Sequence, residues 1–293
     1  MKWMFVHAHY DDFEFTAGGT FELRRRAGGA ERLVVICTDG ASGHHFRSRE
    51  ETAGVRLAEQ QASAQIGGYR FEPLRLPDGR IPREARWEQE PDLLPALWKA
   101  IRDFEPDYLF CPPLPGSALA GIHVDHVTIA EAVRRVAYLI NVPHVYLPEY
   151  PECAGDERPR KTPVILQVAD SYVEEEQEYD LLVDVEPVFD AVARMSWSHQ
   201  SQIREWLPWV GRHRIEPAAT LDEWKVQLRE RYRFRNRKLG LDTERPTEPF
   251  VVTAWGEIPS LEQLRRDIPG LTLDLNRQAR LADKLARWSE DRM

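Results

Sequence analysis

The first twenty residues place a group of polar side chains directly after a short apolar run. Residues 3–6 read WMFV, and the next eight residues, 7–14, read HAHYDDFE. The apolar run predicts a buried strand, and Ala17-Gly18-Gly19 precedes a predicted helix. In open α/β folds, ligands bind in the crevice beyond the carboxyl ends of the strands. The start of the chain therefore predicts an α/β sheet with a polar site at the end of its first strand. An ordinary polar turn is the alternative, and a second cluster downstream disfavours it.

The second polar cluster, GIHVDH at residues 121–126, precedes a segment with helical periodicity. Apolar residues at three- and four-residue spacing predict a helix over residues 127–140 with one buried face. His123 and His126 flank its predicted N-terminus, so both can face one point, and Asp125 suits the positive end of the helix dipole. Histidine and aspartate are ligands suited to Zn²⁺ or Fe²⁺. The two clusters together favour one metal site over a helix cap at Asp125 and a solvated loop residue at His123.

Strand and helix patterns alternate over the first two hundred residues. The predicted strands cover 2–7, 33–38, 71–76, 108–111, 164–168 and 180–185. The predicted helices cover 17–27, 51–66, 93–104, 127–140 and 188–203. This alternation predicts an α/β fold with a Rossmann-like, mostly parallel sheet and helices on both faces. Because parallel strands end at one rim, the two clusters can meet there.

In combination, the two clusters resemble the PIG-L or LmbE-like family of zinc-dependent N-deacetylases. The family's first motif, Ala-His-Pro-Asp-Asp-x-Glu followed by Gly-Gly-Thr, is similar to residues 8–14 and 18–20. Its second motif, His-Pro-Asp-His, is similar to residues 123–126. Weaker similarities lie at Thr38-Asp39-Gly40, Arg56 with Glu59 and Gly67, Asp78-Gly79, and 199–202. Tyr10 and Val124 replace the two motif prolines, whereas every ligating side chain is kept. Gly121 stands where some members have an assisting tyrosine.

The resemblance implies a zinc-dependent hydrolase that removes an N-acyl group, typically acetyl, from an amino sugar or an N-acetylglucosamine conjugate. It implies three sets of site residues: the Zn²⁺ ligands His9, Asp12 and His126, the proton-transfer residues Asp11, His123 and Asp125, and the substrate-binding residues Arg56 and Asp78. One Zn²⁺ would bind per chain, and Asp11 would be the general base. His123 would stabilise the oxyanion or protonate the leaving amine, with Asp125 orienting and charging its imidazole. Glu14 would support the site from behind the ligands.

The resemblance extends over residues 3–205, which implies a deacetylase domain at 1–205 and a C-terminal extension at 206–293. The extension is predicted to be mainly helical, and its role is not readable from the pattern. Arginines alternate with other residues along 229–237. They suggest either an acid-binding face or, more commonly, a solvated or subunit-contacting helix.

Three other functions are consistent with parts of the pattern. The first is an amidase of the same family that cleaves a thiol conjugate or another small amide. The second is a non-haem iron oxygenase, since His9, Asp11 and a distant histidine also form a two-histidine-one-carboxylate set. The αβ alternation disfavours it. The third is a non-catalytic carbohydrate-binding relative, which the full set of metal and proton-transfer residues disfavours. The sequence does not identify the aglycone of the substrate. It also does not distinguish Zn²⁺ from Fe²⁺ as the native metal.

Composition and charge limit the classes of molecule that this protein is expected to bind. The formal net charge of −9 argues against nucleic-acid binding. We expect no membrane span, since no window approaches eighteen apolar residues, and no secretion leader. The three cysteines are widely spaced and predict free thiols in a reducing cytoplasm. The expected partner is a small amino-sugar substrate, and the family resemblance implies a homo-oligomer, a trimer or a hexamer.

Overall fold

The computed structural model describes residues 1–117, 120–170, 172, 179–212, 215–273 and 275–290. The strands are β1 (Lys2–His7), β2 (Glu31–Ile36), β3 (Arg70–Pro73), β4 (Tyr108–Cys111), β5 (Val164–Val168), β6 (Leu181–Asp184), β7 (Thr247–Val252) and β8 (Leu271–Thr272). The helices are α1 (Asp12–Thr16), α2 (Gly18–Ala27), α3 (Arg49–Gly67), α4 (Leu93–Phe104), α5 (Val124–Leu139), α6 (Phe189–Trp197), α7 (Leu207–Val210), α8 (Leu221–Lys238), α9 (Leu261–Asp267) and α10 (Leu275–Glu290). A π-helical turn, Ser201–Trp206, leads directly into α7.

The described strands form one sheet with the order β3-β2-β1-β4-β5-β7-β6-β8. The first five positions, from β3 to β5, are mutually parallel, and β7, β6 and β8 join through antiparallel pairs. The predicted mostly parallel α/β sheet is therefore confirmed. From β1 the chain first builds outward to β2 and β3, then returns to place β4 on the other side of β1. The strand order thus reverses between β1 and β4, where α/β sheets bind their ligands.

The alternation of side chains along β1 divides the core between the two faces of the sheet. Trp3 and Phe5 join a buried cluster that includes residues of α1, α2, α3, α6 and α8. Met4 and Val6 join a second cluster with α4 and α5 on the opposite face. Because successive strand residues point to opposite faces, a fully apolar run such as residues 3–6 is typical of a central strand covered on both sides.

The C-terminal part of the chain contributes to the same sheet. Strand β7 lies between β5 and β6 and pairs with both of them. This segment, predicted to be mainly helical, contains helices α8, α9 and α10. The boundary at residue 205 stays a prediction about folding units, although the sheet continues across it. Over the described residues, no helix has the length and apolar character needed to traverse a bilayer.

Candidate metal centre

Three neighbouring strands deliver the polar side chains to one point at the carboxyl edge of the sheet. Strand β1 ends at His7 and is followed by His9 and α1. The chain after β4 reaches this rim at the start of α5, where His123 is the N-cap residue. Asp170 lies two residues beyond β5. The two motifs thus meet at the position where the strand order reverses, as the sequence pattern predicts.

Three ligand atoms form a triangle at this point. His9 Nδ1 lies 3.0 Å from His126 Nε2, and Asp12 Oδ2 lies 3.5 Å from His9 Nδ1 and 3.6 Å from His126 Nε2. Ligands at about 2.0–2.2 Å from a tetrahedral ion are separated by about 3.3–3.6 Å. The triangle therefore has the size of one face of a tetrahedral metal site. Its donors, two imidazole nitrogens and one carboxylate oxygen, are those of catalytic metal centres.

Other groups of potential ligands lie in the same cluster. Ligand atoms of His9, His123 and His126 are all within 4.8 Å of one another, as are those of His7, His126 and Asp170. His123, however, stacks on His126 with ring centroids 4.2 Å apart and an interplanar angle of 19°. A histidine binds an ion in the plane of its own ring, so two nearly parallel stacked rings cannot share one ion. Asp12 therefore completes the triangle better than His123 does.

Two buried partners orient the triangle from behind. His126 Nδ1 lies 2.5 Å from Asp170 Oδ2, and His7 Nδ1 lies 2.5 Å from Asp12 Oδ2. A carboxylate on the second nitrogen of a ligating histidine fixes its tautomer and ring orientation. Asp170 was missed by the sequence analysis. A carboxylate two residues after the apolar strand 164–168 was the signal that could have identified it.

The electrostatics of the cluster favour a positive charge at its centre. Burial lowers the pKa of His9, but Asp12 and Asp125 outweigh it and raise that pKa to about 10. Burial likewise opposes protonation of His126, while Asp12 and Asp170 raise its pKa. The pKa of Asp12 is held well below its usual range by His7 and His126 in spite of its burial. A divalent cation would satisfy these carboxylates in place of protons, so the donor set and the local charge both fit a metal.

Asp11 is adjacent to Asp12 in sequence but belongs to a different set of contacts. Its Oδ1 accepts a hydrogen bond from Arg56 Nη2 at 3.0 Å, and its backbone N–H donates to Gln60 Oε1 at 3.2 Å. Burial raises the pKa of Asp11 to about 6, Arg56 lowers it, and the neighbouring charge of Asp12 raises it. This carboxylate therefore lies beside the ligand triangle, held by a cation and with an elevated pKa.

The structure corrects the predicted partner of Asp125. Asp125 Oδ2 lies 3.0 Å from His9 Nε2, and Oδ1 accepts hydrogen bonds from Ala85 N at 2.7 Å and Trp87 Nε1 at 2.6 Å. The expectation that Asp125 charges His123 is therefore wrong, because both carboxylate oxygens are directed to other groups. Desolvation, together with His126 and His9, lowers the pKa of His123 to about 4. His123 is thus a neutral imidazole at neutral pH.

Of the remaining predicted site residues, Arg56 and Glu14 lie near Asp11, whereas Asp78 does not. Arg56 is buried, at 3% exposure, and also bonds the carbonyl oxygen of Tyr10. Asp78 lies in an exposed turn where it accepts hydrogen bonds from Arg80, and its described contacts do not bring it into the cluster. Glu14 is fully buried, accepts a hydrogen bond from Gln60 Nε2 at 2.9 Å, and so lies one side chain away from Asp11.

Tyr172 is a second residue that the sequence analysis missed. Its ring centroid lies 5.6 Å from that of His123 and 5.9 Å from that of His126. The same residue accepts a hydrogen bond from Ile122 N at its carbonyl oxygen. A tyrosine therefore approaches the cluster from the segment after β5, although position 121 is a glycine.

Comparison with known proteins agrees with this geometry. The family model described as PIG-L, GlcNAc-PI de-N-acetylase, matches residues 4–137. Both motif clusters lie inside the matched residues, whereas Asp170, Tyr172 and the whole C-terminal segment lie outside them.

Two curated relatives share a short part of this chain. Both are 1D-myo-inositol 2-acetamido-2-deoxy-alpha-D-glucopyranoside deacetylases. The protein from Saccharomonospora viridis is 42% identical over 71 residues, which are 24% of this chain and 24% of the relative. The protein from Mycobacteroides abscessus is 44% identical over 71 residues, which are 24% of this chain and 23% of the relative. The match therefore spans about a quarter of the length of either relative.

Solved structures share the fold over most of the chain. The N,N'-diacetylchitobiose deacetylase from Pyrococcus horikoshii has a TM-score of 0.62 and 21% identity over 86% of this chain and 83% of that one. GalB, the 4-carboxy-2-hydroxymuconate hydratase from Pseudomonas putida, has a TM-score of 0.56 and 17% identity over 86% of this chain and 96% of that one. At these identities the likeness shows the fold alone.

Proposed function

We propose that this protein is a metal-dependent hydrolase that removes an N-acyl group, specifically acetyl, from an amino sugar or an N-acetylglucosamine conjugate. The observation that carries the proposal is the triangle of His9, Asp12 and His126 ligand atoms beside the buried carboxylate of Asp11. The names of the two curated relatives support deacetylation as the reaction. A hydratase shares the fold, so the fold does not decide the reaction, and the proposal depends on the site.

His9, Asp12 and His126 would hold one Zn²⁺ per chain. When bound, Zn²⁺ lowers the pKa of water towards 7 and polarises a carbonyl group as a Lewis acid. The protein chain holds the three metal-binding side chains in position through further hydrogen bonds. Asp170 holds the ring of His126, His7 holds Asp12, and Asp125 holds the second nitrogen of His9. We assign Asp125 this orienting role.

Asp11 is the proposed general base. With a pKa of about 6, its carboxylate is mostly ionised at pH 7 and can accept the proton of the attacking water. The water oxygen then forms a bond to the amide carbon, and the same proton passes from Asp11 to the amide nitrogen as the carbon–nitrogen bond breaks. The products are a free amine and acetic acid, which releases its proton to become acetate at neutral pH. Arg56 and Gln60 keep Asp11 in place, and Glu14 holds Gln60.

His123 is the proposed hydrogen-bond donor to the amide oxygen. A neutral ring suits this role, because donation to a developing oxyanion needs an N–H group but no net charge. Its Nδ1 has no hydrogen-bond partner among the described residues. The role of proton donor to the amine passes to Asp11, since an imidazole with a pKa of about 4 is neutral at pH 7 and is not present as the acidic imidazolium. Cytoplasmic location and homo-oligomer formation stay predictions from the sequence.

The test is release of primary amine from N-acetylglucosamine and N,N'-diacetylchitobiose by protein loaded with Zn²⁺ or Fe²⁺. We expect turnover with the metal-loaded protein, none after chelation, and recovery on adding metal back. His126→Ala should lose both the metal, by elemental analysis, and the activity. Asp103→Ala, an exposed change on α4, is the matched control that should keep both. The absence of amine release from any N-acyl amino sugar at full metal loading would refute the proposal.

A further inference from the structure

Two ionisable side chains, Glu14 and His199, form a completely buried pair. Both are 0% exposed, and His199 Nε2 lies 3.3 Å from Glu14 Oε2. Among the described residues, these two atoms have no other polar partner. Burial lowers the pKa of His199, but Glu14 and Asp11 outweigh it and raise that pKa. Because an unpaired buried charge is costly, each of the two side chains depends on the other.

The second oxygen of Glu14 fixes an amide group that reaches the general base. Three donors converge on Glu14 Oε1: Gln60 Nε2 at 2.9 Å, Ser63 Oγ at 2.5 Å and Tyr69 Oη at 2.7 Å. An amide has a donor end and an acceptor end. With its amino group directed at Glu14, Gln60 presents its oxygen to the backbone N–H of Asp11, 3.2 Å away. The orientation of the Gln60 amide therefore follows from the position of Glu14.

The hydrogen bond from Asp11 N to Gln60 forms where the backbone has an uncommon conformation. Asp11 has a positive φ of 95°, which residues other than glycine rarely adopt. In this conformation its carboxylate accepts a hydrogen bond from Arg56 Nη2 at 3.0 Å and lies beside the ligand triangle. Gln60 thus stabilises the backbone conformation on which the position of the base depends.

His199 is held against α3 by the residues that follow it. Ser201 donates from its backbone N and from Oγ to the carboxylate of Glu59, both at 2.7 Å. Glu59 directly precedes Gln60 on α3. Residues 199–202, one of the weaker motif similarities in the sequence, therefore contact the same helix that positions Asp11. They lie outside the residues matched by the family model.

We propose that His199 is a positioning residue for the general base: paired with Glu14, it keeps the Gln60 amide on the Asp11 backbone. This inference rests on the proposed function, in which Asp11 is the base. Because His199 is completely buried, it acts through Gln60 and does not touch the substrate. A misplacement of a catalytic group by about 1 Å can cost about 10²-fold in rate, so an indirect residue can control turnover.

The first measurement is turnover of His199→Gln, which keeps a polar side chain and removes the charge. We expect kcat to fall roughly 10- to 100-fold, with KM and Zn²⁺ content unchanged, because only the base is displaced. His144→Gln is the matched control. His144 forms a pair with Glu157 at the same 3.3 Å, but both side chains are exposed, so kcat should stay at the wild-type value.

The second measurement requires no substrate. In protein isotope-labelled at aspartate, nuclear magnetic resonance follows hydrogen exchange of the Asp11 amide. This amide should exchange at least about tenfold faster in His199→Gln, since its hydrogen bond to Gln60 is weakened. The amide of Asp184, which donates to the carbonyl oxygen of Gly270 at 2.9 Å, is the internal reference. It should be unchanged, whereas a general loss of stability would accelerate both amides.

Two further variants test whether His199 acts through Gln60 and Asp11. Asp11→Asn combined with His199→Gln should have a kcat no lower than Asp11→Asn alone, because no base remains to be positioned. Gln60→Met removes the connecting amide and leaves the buried pair in place. It should reproduce the loss of kcat and the faster Asp11 exchange, and it tests the inference even if His199→Gln does not fold.

Three results would overturn the inference. The first is wild-type kcat and wild-type Asp11 exchange in His199→Gln or in Gln60→Met. The second is a loss in His199→Gln that multiplies the loss in Asp11→Asn, and the third is release of Zn²⁺ by His199→Gln. Faster Asp11 exchange in variants of a protein that releases no amine would refute the deacetylase proposal and leave the positioning role standing. Amine release with unchanged Asp11 exchange would do the reverse.

Discussion

At the scale of single residues, two adjacent aspartates acquire opposite properties because the backbone turns between them. Asp11 has a left-handed conformation, with φ of 95° and ψ of −21°, and Asp12 begins α1. Aspartate and asparagine accept this region more readily than most residues do. Asp11 consequently faces Arg56, but its burial outweighs the effect of Arg56 and raises its pKa to about 6. Asp12 faces the histidines, which hold its pKa low. One carboxylate is suited to accept a proton and the other to bind a cation.

This division predicts that Asp11→Asn separates chemistry from metal binding. Asparagine is close in size and tolerates the left-handed backbone, so the fold should be kept. Loss of a general base typically costs about 10²–10⁴-fold in rate, and we expect kcat to fall in that range with metal content unchanged. Elemental analysis and amine release on the same preparation provide the measurement.

Asp12→Asn is the matched comparison, since it makes the same chemical change one residue further along the chain. It should lose most of the metal, and its activity should fall for that reason. If Asp11→Asn released the metal while Asp12→Asn retained it, the roles of the two aspartates would have to be exchanged.

Asp170 gives a second prediction at this scale. Residues that orient a ligating histidine typically contribute about 10–100-fold to metal affinity. Asp170→Asn should therefore weaken metal binding by about that factor, measured by competition with a chelating dye, while His126→Ala should abolish it. Asp190→Asn, at an exposed ion pair on α6, should leave the affinity unchanged. An Asp170→Asn protein with wild-type affinity would show that the 2.5 Å contact does not orient the ligand.

At the scale of elements, α2 is capped by a residue from the far end of the chain. Its N-cap, Ala17, supplies no side-chain hydrogen bond. Instead, Glu248 of β7 accepts hydrogen bonds from Gly19 N at 2.8 Å, Thr20 N at 2.7 Å and Thr20 Oγ1 at 2.6 Å. A side-chain carbon on Gly19 would lie 2.6 Å from Val185 and 2.9 Å from Glu248. The Gly-Gly-Thr sequence thus lets β6 and β7 approach the helix that follows the metal site.

Glu248→Ala should therefore destabilise the whole protein. It leaves two buried N–H groups and a hydroxyl without an acceptor, each worth about 1–3 kcal/mol. We expect a loss of at least about 3 kcal/mol in the free energy of unfolding, measured by urea denaturation. Glu244→Ala is the control, because Glu244 forms an exposed pair with Arg233, and such pairs contribute about 1 kcal/mol or less. Similar losses in both variants would mean that Glu248 is not a helix cap.

The same contact shows what sequence patterns could and could not provide at this scale. Periodicity alone predicted 93–104 and 108–111 with the bounds of α4 and β4, because each has an uninterrupted apolar face. Strand β7 was missed, since its sequence TEPFVV contains a glutamate and a proline early in the run. The glutamate is buried because it accepts hydrogen bonds from the N-terminus of α2. No local sequence pattern indicates this long-range contact. The predicted helix 188–203 likewise ends as α6 at Trp197 and is followed by the π-helical turn.

For the candidate site, the sequence supplied the residues that lie within its two motifs and missed those brought in by the fold. Asp170 and Tyr172 belong to neither motif, and their role depends on β5 lying beside β4. The partner of Asp125 was predicted to be His123, its neighbour in the same motif, and the contact with His9, more than a hundred residues away in the chain, was missed. Only the position of Ala85 and Trp87, which bind the other oxygen, turns Asp125 towards His9.

At the scale of the whole molecule, the sheet links the metal centre to the C-terminal segment. Strand β1 carries the first motif, β5 leads to Asp170, and β7 pairs with β5 while its Glu248 holds α2. Unfolding of the C-terminal segment alone would break β5–β7 pairing and expose the buried carboxylate of Glu248. We therefore expect residues 1–205 and 206–293 to unfold in one cooperative transition.

This predicts that metal binding at one end of the sheet protects backbone amides in the other part of the chain. A ligand at about 1,000 times its dissociation constant stabilises the folded state by about 4 kcal/mol. In native-state hydrogen exchange, Zn²⁺ should therefore slow the slowest amides of peptides covering 2–7 and 247–252 by the same factor, since both exchange through global unfolding. His126→Ala, which cannot hold the ion, should show no change in either peptide. If Zn²⁺ protected 2–7 but left 247–252 exchanging as before, the C-terminal segment would open by itself, and the boundary at residue 205 would separate two folding units in spite of their shared sheet.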